Sequence, residues 1–379
     1  MDFKLTPEQL MIQKVARQVA QEVCEPLAAE IDRTHRFPKE AFQKLTECGL
    51  MGVGFDPKYG GAGGSRLDQV LINIELAKVC GTTSSVFSIH QGSIYVIEKH
   101  GTEEQKQKYI RPLVEGGVVG AFALTEANAG SDAAGVQTTA VEDGDDYIIN
   151  GTKCFITGGY SAEIFTVFAM TDPSKKTAGL TAFIVEKGTP GFTVGKVEDK
   201  MGIRGSEAAE LIFDNVRVPK KNIIGQLNKG FKYAMEAIDI NRVTVAASQA
   251  LGIAEGAFEQ AVKYSKERVQ FGKPIAKQQG LGWYLAEMKA KIEAARWLVY
   301  NAAWKLDNKI PCTQESCIAK LFASETARFV TDKAVQIHGG YGYMTDYAVE
   351  RMFRDAKITE IYEGTNEIQK LVIAREILK

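Results

Sequence analysis

The sequence predicts an α+β multidomain protein with an N-terminal helical domain, a middle β-barrel or β-sandwich domain and a C-terminal four-helix bundle. Apolar residues recur at helical spacing through roughly the first hundred residues. Short alternating strands with turn signals then replace that pattern. Helical periodicity returns after Gly230 in three long segments, at about 229–259, 275–307 and 311–338. We therefore expect three domains, at residues 1–117, 118–227 and 228–379.

The N-terminal third opens with a helix start signal. Thr6 suits the N-cap, Pro7 the first helical position, and Gln9 completes a capping box. The glycine-rich run at 52–64 has two interpretations, a phosphate-binding loop or a plain turn. It lacks the Gly-Lys-Ser/Thr ending of a phosphate loop, which favours the turn. Further helices are predicted near 67–80, 84–100 and 103–115.

The middle third carries strand signals. Two β-prone segments flank the acidic run at 142–146, which contains Gly144 and predicts a hairpin. Further strands are predicted at 164–171, 181–185, 192–197 and 210–216. Two shorter helices are expected near the C-terminus, at about 346–355 and 365–377, and Thr365 suits the N-cap of the second.

The composition of the chain argues against several classes of function. The 379 residues carry a formal net charge of -1, which argues against a nucleic-acid-binding protein. Six cysteines form no Cys-x-x-Cys pair and there are four histidines, so we expect no metal site. No run of 18 apolar residues occurs and the N-terminus lacks a signal-peptide pattern, so we expect a cytoplasmic protein with no membrane span.

Six motifs follow one another along the chain. They are ALTEANAGSD at 123–132, NGTKCFIT at 150–157, KMGIR at 200–204, RVQFGKP at 268–274, QIHGGYG at 336–342 and KITEIYEGTNE at 357–367. With these motifs the chain resembles the acyl-CoA dehydrogenase family over its full length, and within it the short-chain, butyryl-type branch. The resemblance implies the three-domain fold, FAD as cofactor, acyl-CoA or enoyl-CoA substrates and an electron-transfer flavoprotein as partner. It also implies a homotetramer built as a dimer of dimers.

The resemblance assigns FAD contacts to two groups of residues. Thr125, with amides around Phe122 and Leu124, would hold the flavin edge that gains negative charge on reduction. Thr157 would bond flavin N5, and Phe155 would pack on the flavin face where many relatives have tryptophan. Arg268 resembles the arginine that reaches the partner subunit's FAD diphosphate. The remaining FAD contacts implied are Phe271, Gln336, Gly339, Gly340, Thr365, Glu367 and Ser131.

Coenzyme A and acyl contacts are implied for Ser131, Asp239, Arg242 and Gly364. The residues alone leave another interpretation of Asp239 and Arg242, an intrahelical pair on a solvated face. Rings in the stretch 84–98, chiefly Phe87 and Tyr95, permit an aromatic acyl group, although they equally suit core packing. Glu207 has no role that the sequence assigns.

Glu363 is the predicted catalytic base. Its neighbours Ile361 and Tyr362 would desolvate it, and a desolvated carboxylate is a better base toward a weak carbon acid. From these residues alone, a surface glutamate before a helix is the favoured interpretation. By resemblance, Glu363 abstracts the α-proton of the thioester, flavin N5 takes the β-hydride, and its own amide polarises the thioester carbonyl.

Four functions stay open at this point. The first is acyl-CoA dehydrogenation to a trans-2-enoyl-CoA, with electrons passed to electron-transfer flavoprotein. The second is the reverse reaction, as an enoyl-CoA reductase subunit of an NADH-dependent electron-bifurcating complex, including caffeoyl-CoA or cinnamoyl-CoA reductases. The third is an acyl-CoA oxidase. The fourth, from another class, is a non-catalytic flavoprotein scaffold.

Overall fold

The structure, a computed structural model, describes residues 4–379. Its N-terminal part is helical, as predicted, and Thr6 and Gln9 form the expected capping box. The helices are α1 Pro7–Val19, α2 Glu25–Thr34, α3 Lys39–Glu47, α4 Arg66–Ala77, α5 Gly81–His100 and α6 Glu103–Val114. A π-helical turn, Ala20–Cys24, joins α1 to α2.

The middle part is one curled seven-stranded sheet. Its strands are β1 Gly120–Ala123, β2 Thr139–Asp143, β3 Asp146–Thr157, β4 Ile164–Met170, β5 Leu180–Glu186, β6 Phe192–Val197 and β7 Ala208–Pro219. They lie in the order β1-β4-β2-β3-β7-β6, with β5 paired to β4. The predicted hairpin is present, because Asp143 pairs with Asp146 across a turn in which Gly144 has φ 61°.

The C-terminal part is a helix bundle. Its helices are α7 Gly230–Asn241, α8 Ser248–Glu267, α9 Gln279–Asp307, α10 Thr313–His338, α11 Ala348–Ile358 and α12 Asn366–Ile377. A short hairpin of β8 Val269–Gln270 and β9 Lys273–Pro274 separates α8 from α9. A π-helical segment, Arg242–Ala247, connects α7 to α8, so the first bundle helix runs to Glu267 and not to about 259 as predicted. Within residues 4–379, no helix has both the length and the apolar character needed to cross a membrane.

The glycine-rich run at 52–64 is a packed turn. A Cβ on Gly61 would lie 2.2 Å from the Phe55 carbonyl oxygen, and the amide of Ala62 donates to the Gly52 carbonyl at 2.8 Å. Its glycines therefore let backbone approach backbone, which agrees with the plain-turn interpretation.

Helix α5 joins the helical and β parts. It is buried from Gly81 to Ile97, and its polar side chains bond inward. The imidazole of His90 accepts from the Gly120 amide at 3.0 Å and donates to the Leu113 carbonyl at 2.9 Å. Burial lowers the pKa of His90 to about 4, so the neutral ring that this pair of bonds requires is the stable form.

The π-helical segment is held by Asn73 of α4. In a π turn some carbonyls lose their usual helical partners. The buried Asn73 amide nitrogen donates to the carbonyls of Thr244 at 3.0 Å and Val245 at 3.3 Å, and to the Ser248 hydroxyl at 2.7 Å. Its oxygen accepts from Ser84 at 2.7 Å. One side chain thus satisfies groups on α5 and on the irregular turn that carries Arg242.

We expect Asn73→Leu to destabilise the protein by about 3 kcal/mol, since each buried group left unsatisfied costs about 1–3 kcal/mol. Urea unfolding followed by circular dichroism measures the change. Asn308→Leu is the control, because exposed Asn308 bonds only its own helix end. An Asn73→Leu variant as stable as the Asn308→Leu variant would contradict this account of the π turn.

Candidate active site

The turn between α11 and α12 places Glu363 in a strained backbone. Glu363 has φ 53° and Gly364 has φ 87°, and left-handed backbone is uncommon for a glutamate. The buried Gln369 amide holds this shape by donating to the carbonyls of Glu363 at 3.0 Å and Gly364 at 2.7 Å. Neither the Glu363 amide nor the Gly364 amide has a hydrogen-bond partner within residues 4–379. Both therefore remain available as donors to a ligand.

Three further anchors fix the turn. The Thr365 hydroxyl caps α12 by accepting from the Ile368 amide, as predicted. The Asn366 amide donates to the Glu360 carbonyl at 2.9 Å. The Tyr362 hydroxyl donates to Gln249 of α8, whose amide donates to the Gly81 carbonyl at 2.7 Å. The Tyr362 ring thus ties the turn to α8 and α5.

Burial dominates the electrostatics of Glu363. It raises the pKa of Glu363 to about 7, although the Arg242 and Lys320 cations and the Asn241 side chain act in the opposite direction. Tyr362 beside it has its pKa raised by the same burial. This arrangement differs from the alternative of a surface glutamate, whose pKa stays near the ordinary value.

Arg242 and Asp239 form an ion pair at the same site in which Arg242 is buried and Asp239 is half-buried. Arg242 is 7% exposed, donates to Asp239 through Nη1, and has a buried Nε with no partner within residues 4–379. Asp239 also accepts from the Thr313 hydroxyl at 2.8 Å. The intrahelical pair of the alternative interpretation is therefore present, but its Arg242 end is buried and does not lie on a solvated face. The unpartnered Nε is a donor that a ligand can satisfy.

Helix α5 approaches Glu363 through Asn241. A Cβ on Gly92 would lie 2.8 Å from the Asn241 amide nitrogen, so the glycine is needed for this contact. Phe87 and Tyr95 of the same helix are buried, and burial raises the pKa of Tyr95 to about 12. Trp283, by contrast, is exposed near the start of α9.

The predicted flavin residues lie together on β1, β3 and the loop after β1. Phe155 sits on a β-bulge with φ 57° and is 62% exposed, so its ring faces out of the sheet. The Cys154 amide donates to the Thr125 carbonyl at 3.0 Å, which joins the two motifs. The hydroxyls of Thr125, Ser131 and Thr157 have no hydrogen-bond partner in the described chain.

A buried ion pair supports this group. Lys153 donates to Glu126 at 2.8 Å and to the Leu124 carbonyl at 3.1 Å. Glu126 also accepts from the amides of Gln137 and Thr138, so one carboxylate shapes the loop around Ser131. Burial lowers the pKa of Lys153 to about 8 despite the neighbouring Glu126.

Glu207, unassigned from the sequence, supports the loop after Thr157. Its carboxylate accepts from the Ser161 amide at 3.0 Å, and its carbonyl accepts from the Gly158 amide at 2.7 Å. It therefore positions the backbone that follows the Thr157 hydroxyl.

These residues fit a flavin. The exposed Phe155 ring offers an apolar surface to a planar ring system, and the unpaired hydroxyls of Thr125 and Thr157 offer donors beside it. Phe122 is half-buried in β1, and the Leu124 amide, just past the strand, has no partner within residues 4–379. The combination of an exposed ring and unsatisfied donors has no explanation in the packing of the chain itself.

A second cluster of predicted FAD residues lies where α8 and α10 end. It surrounds a cavity of about 550 Å³ lined by residues that include Arg268, Gly339 and Gly340. The Arg268 guanidinium lies 5.4 Å from the centre of the Tyr341 ring. Phe271 is 92% exposed in the β8–β9 hairpin, and Gln336 lies near the end of α10. A Cβ on Gly339 or Gly340 would meet open space, so this surface is free to take a ligand.

The comparisons with known proteins agree with the motifs. Profiles of the acyl-CoA dehydrogenase N-terminal, middle and C-terminal domains match residues 6–117, 121–216 and 228–378. The chain belongs to the acyl-CoA dehydrogenase family. Members of this family are FAD enzymes, and the chain is an oxidoreductase acting on the CH–CH bond of acyl-CoA, which removes the scaffold alternative.

Three relatives illustrate the similarity. The chain is 57% identical over 381 residues to the acryloyl-CoA reductase (NADH) of Anaerotignum propionicum, covering 100% of this chain and 96% of that protein. It is 49% identical to the solved butyryl-CoA dehydrogenase of Megasphaera elsdenii, with a TM-score of 0.98 and 100% of both chains covered. It is 50% identical, with the same TM-score and coverage, to a chain solved in work on the electron transferring flavoprotein of Acidaminococcus fermentans and flavin-based electron bifurcation.

The sequence did not single out four residues around Glu363. They are Asn241, Lys320, Asn366 and Gln369. Lys320 and Gln369 occupy buried positions of α10 and α12. For Lys320 the sequence did carry a signal, because a charged residue stands among the alanines of a buried helix face. Asn241 and Asn366 adjoin predicted site residues, but their contacts depend on distant helices.

We expect Glu207→Leu to weaken FAD binding about tenfold, because the Ser161 amide loses its acceptor and the loop after Thr157 loosens. The ratio of flavin to protein absorbance after dialysis measures the loss. Glu207→Gln retains an acceptor oxygen and should keep wild-type FAD content. Equal FAD retention by the Leu variant and the wild type would show that this contact is unimportant for the cofactor.

Proposed function

We propose that Glu363 is the base that removes the α-proton of an acyl-CoA thioester in an α,β-dehydrogenation yielding a trans-2-enoyl-CoA. The observation that carries the proposal is the Glu363 carboxylate itself, which has a raised pKa and lies beside two unpaired amides. A general base works best when its pKa lies near the operating pH, and about 7 meets that condition.

The α-carbon of a thioester is a weak acid, so its deprotonation needs the enolate oxygen stabilised as well as a base. Amide donors that are already oriented stabilise such a developing charge without further reorganisation. The Glu363 and Gly364 amides are unpaired donors fixed on the same turn as the base. The turn would therefore hold both the base and the donors for the thioester carbonyl.

FAD, when bound, supplies the acceptor for the hydride that leaves the β-carbon. Phe122, Leu124, Thr125, Phe155 and Thr157 would hold its flavin. Ser131 of the loop after β1, the N-cap residue Thr365 and Glu367 in the first turn of α12 would contact the same cofactor. Helix α5 joins the two sides, because Ser93 lies against Gly120 of β1 while Gly92 lies against Asn241.

The cluster at the ends of α8 and α10 would hold the FAD of a second copy of the chain. Its members are Arg268, Phe271, Gln336, Gly339 and Gly340. The 92% exposure of Phe271 supports that assignment, since a large ring so open to solvent is unusual in an isolated chain. All three tryptophans, Trp283, Trp297 and Trp304, lie exposed on α9 at multiples of seven residues. Such a stripe favours helix packing between copies and a homotetramer.

Coenzyme A would be held by Arg242, Asp239 and Ser131. The unpartnered Nε of Arg242 supports this, because binding would satisfy a buried donor. Electron-transfer flavoprotein is the proposed electron partner. The support is the 50% identity to the chain solved in the work on the electron transferring flavoprotein of Acidaminococcus fermentans. A cytoplasmic location and the domain limits 1–117, 118–227 and 228–379 belong to the same proposal.

The reverse reaction is the second candidate. The similarity to an acryloyl-CoA reductase favours it, and the same turn can serve both directions. A protonated Glu363 would return the α-proton to an enoyl-CoA while its turn binds the carbonyl as before. Phe87 and Tyr95 are packed in hydrophobic core clusters, which agrees with their core-packing interpretation, so these rings do not favour an aromatic enoyl-CoA over a short straight chain.

We expect Glu363→Gln to keep its FAD yet lose flavin bleaching by acyl-CoA about a thousandfold, because a neutral amide cannot accept the α-proton. Stopped-flow absorbance with butyryl-CoA and phenylpropionyl-CoA measures the rate. Glu360→Gln, on the same turn but paired with Arg328 and Lys357, is the control and should stay near the wild-type rate. Bleaching by Glu363→Gln at the wild-type rate would exclude the proposed base.

The two directions should respond oppositely to pH. Dehydrogenation requires ionised Glu363, so kcat/KM for acyl-CoA should rise with pH and reach half its maximum near pH 7. Enoyl-CoA reduction requires the protonated form, so its kcat/KM should fall through the same pH. Measuring both profiles on one preparation tests this, and two profiles that rise together would contradict a single shared group.

A further inference from the structure

The most deeply buried cation near the base is Lys320 of α10. Lys320 is 0% exposed, and its ammonium donates to the Asn366 side-chain oxygen at 2.9 Å. The Ser324 hydroxyl donates to the same oxygen at 3.1 Å. No carboxylate lies within ion-pair distance of Lys320 in the described chain. A lysine buried among alanines without an ion-pair partner is costly, and such groups persist where they serve a function.

Asn366 links Lys320 to the turn of Glu363. Asn366 is the first residue of α12, three positions after Glu363, and its amide also bonds the Glu360 carbonyl. The hydrogen-bonded path from Lys320 therefore reaches the turn at two points, at Asn366, three residues after Glu363, and at Glu360, three residues before it. A displacement of Asn366 would release the turn that Gln369 holds from the other side.

The electrostatic coupling runs in both directions. Burial lowers the pKa of Lys320 to about 7, and Glu363 is the largest influence that opposes it. Lys320 in turn is one of the two cations that oppose the raised pKa of Glu363, together with Arg242 of the π-helical segment. The other charged groups that face Lys320 are Arg242 of the π-helical segment, Glu360 on the turn and Glu367 on α12. Glu360 is paired with Arg328 and Lys357, so Glu363 is the carboxylate that most depends on Lys320.

We propose that Lys320 is a positioning residue for the base, holding the Glu363 turn through Asn366 and supplying a buried positive charge that favours the ionised carboxylate. The inference rests on the proposed function of Glu363. The role of Lys320 differs from that of the base, because Lys320 touches neither the unpaired amides of the turn nor the Glu363 carboxylate. It acts through its hydrogen bond to Asn366 and through the electrostatic field of its charge.

The test is the pH profile of flavin bleaching by acyl-CoA in the full-length, FAD-loaded protein. Lys320→Met removes the bond and the charge, whereas Lys320→Gln retains a donor without the charge. Asn366→Asp keeps both hydrogen bonds but places a negative charge against the ammonium. Lys78→Met is the control, because Lys78 is a largely buried lysine of the Glu75 and Glu255 cluster.

We expect the acidic limb to move to higher pH by about one unit in Lys320→Met, Lys320→Gln and Asn366→Asp, because a lost or neutralised cation raises the pKa of a nearby carboxylate. On the acidic side of the profile the rate then falls about tenfold. Lys78→Met should keep the wild-type limb even where thermal unfolding shows that it is less stable. FAD content and the affinity for acyl-CoA should stay near wild type in Asn366→Asp.

Two results would overturn the inference. One is an Asn366→Asp variant whose pH profile keeps the acidic limb of the wild type. This variant tests the electrostatic effect of the Lys320 charge even if Lys320→Met does not fold. The other is full restoration of rate and profile by Lys320→Gln, which would reduce Lys320 to a hydrogen-bond donor. A wild-type protein that no acyl-CoA bleaches and no enoyl-CoA reoxidises would instead refute the proposed function, so the two failures are distinguishable.

Discussion

The site depends on holding one half-buried carboxylate in a left-handed turn. Both conditions cost free energy, since burial disfavours the charged form and a positive φ strains a residue with a Cβ. The turn persists because Gln369, Asn366 and Tyr362 each bond it to a different part of the bundle. The Tyr362 and Asn366 contacts reach Gln249 of α8 and Lys320 of α10, which are distant in sequence, so the geometry of Glu363 requires these helices to be packed around it.

This requirement explains why so many polar side chains lie inside the bundle. Asn73, Gln249 and Lys320 are all fully buried, and each bonds a backbone or side-chain group on or beside an irregular segment. The irregular segments are the π turn that carries Arg242 and the turn that carries Glu363. Apolar residues in these three positions would pack well but would leave those segments without partners. The polar core thus holds the backbone in the shapes that the chemistry needs.

The order of helices and strands could be predicted because local signals agreed with the final fold. Capping residues such as Thr6 and Thr365, and the Gly144 turn, indicate their elements within a few residues. The end of α8 was misplaced because the π turn at Arg242–Ala247 shifts the helical phase. The family motifs indicated Glu363 as the base, but no motif indicates that Lys320 lies near it, because α10 is distant in sequence, and the hydrogen bonds from Gln369 depend on the fold of the turn itself.

A base with a pKa near 7 does not determine the direction of the reaction. At that value both protonation states are well populated at neutral pH, so the same turn can remove or return the α-proton. The proposed enolate donors, the Glu363 and Gly364 amides, would also serve both directions, because the oxygen that they would bind carries charge in a shared transition state. Direction must then be set by the redox balance between the cofactor and its electron partner. Thr125 and Thr157, as the proposed flavin contacts, would influence that balance, whereas the proposed base Glu363 and its neighbour Lys320 would govern only how readily the proton moves.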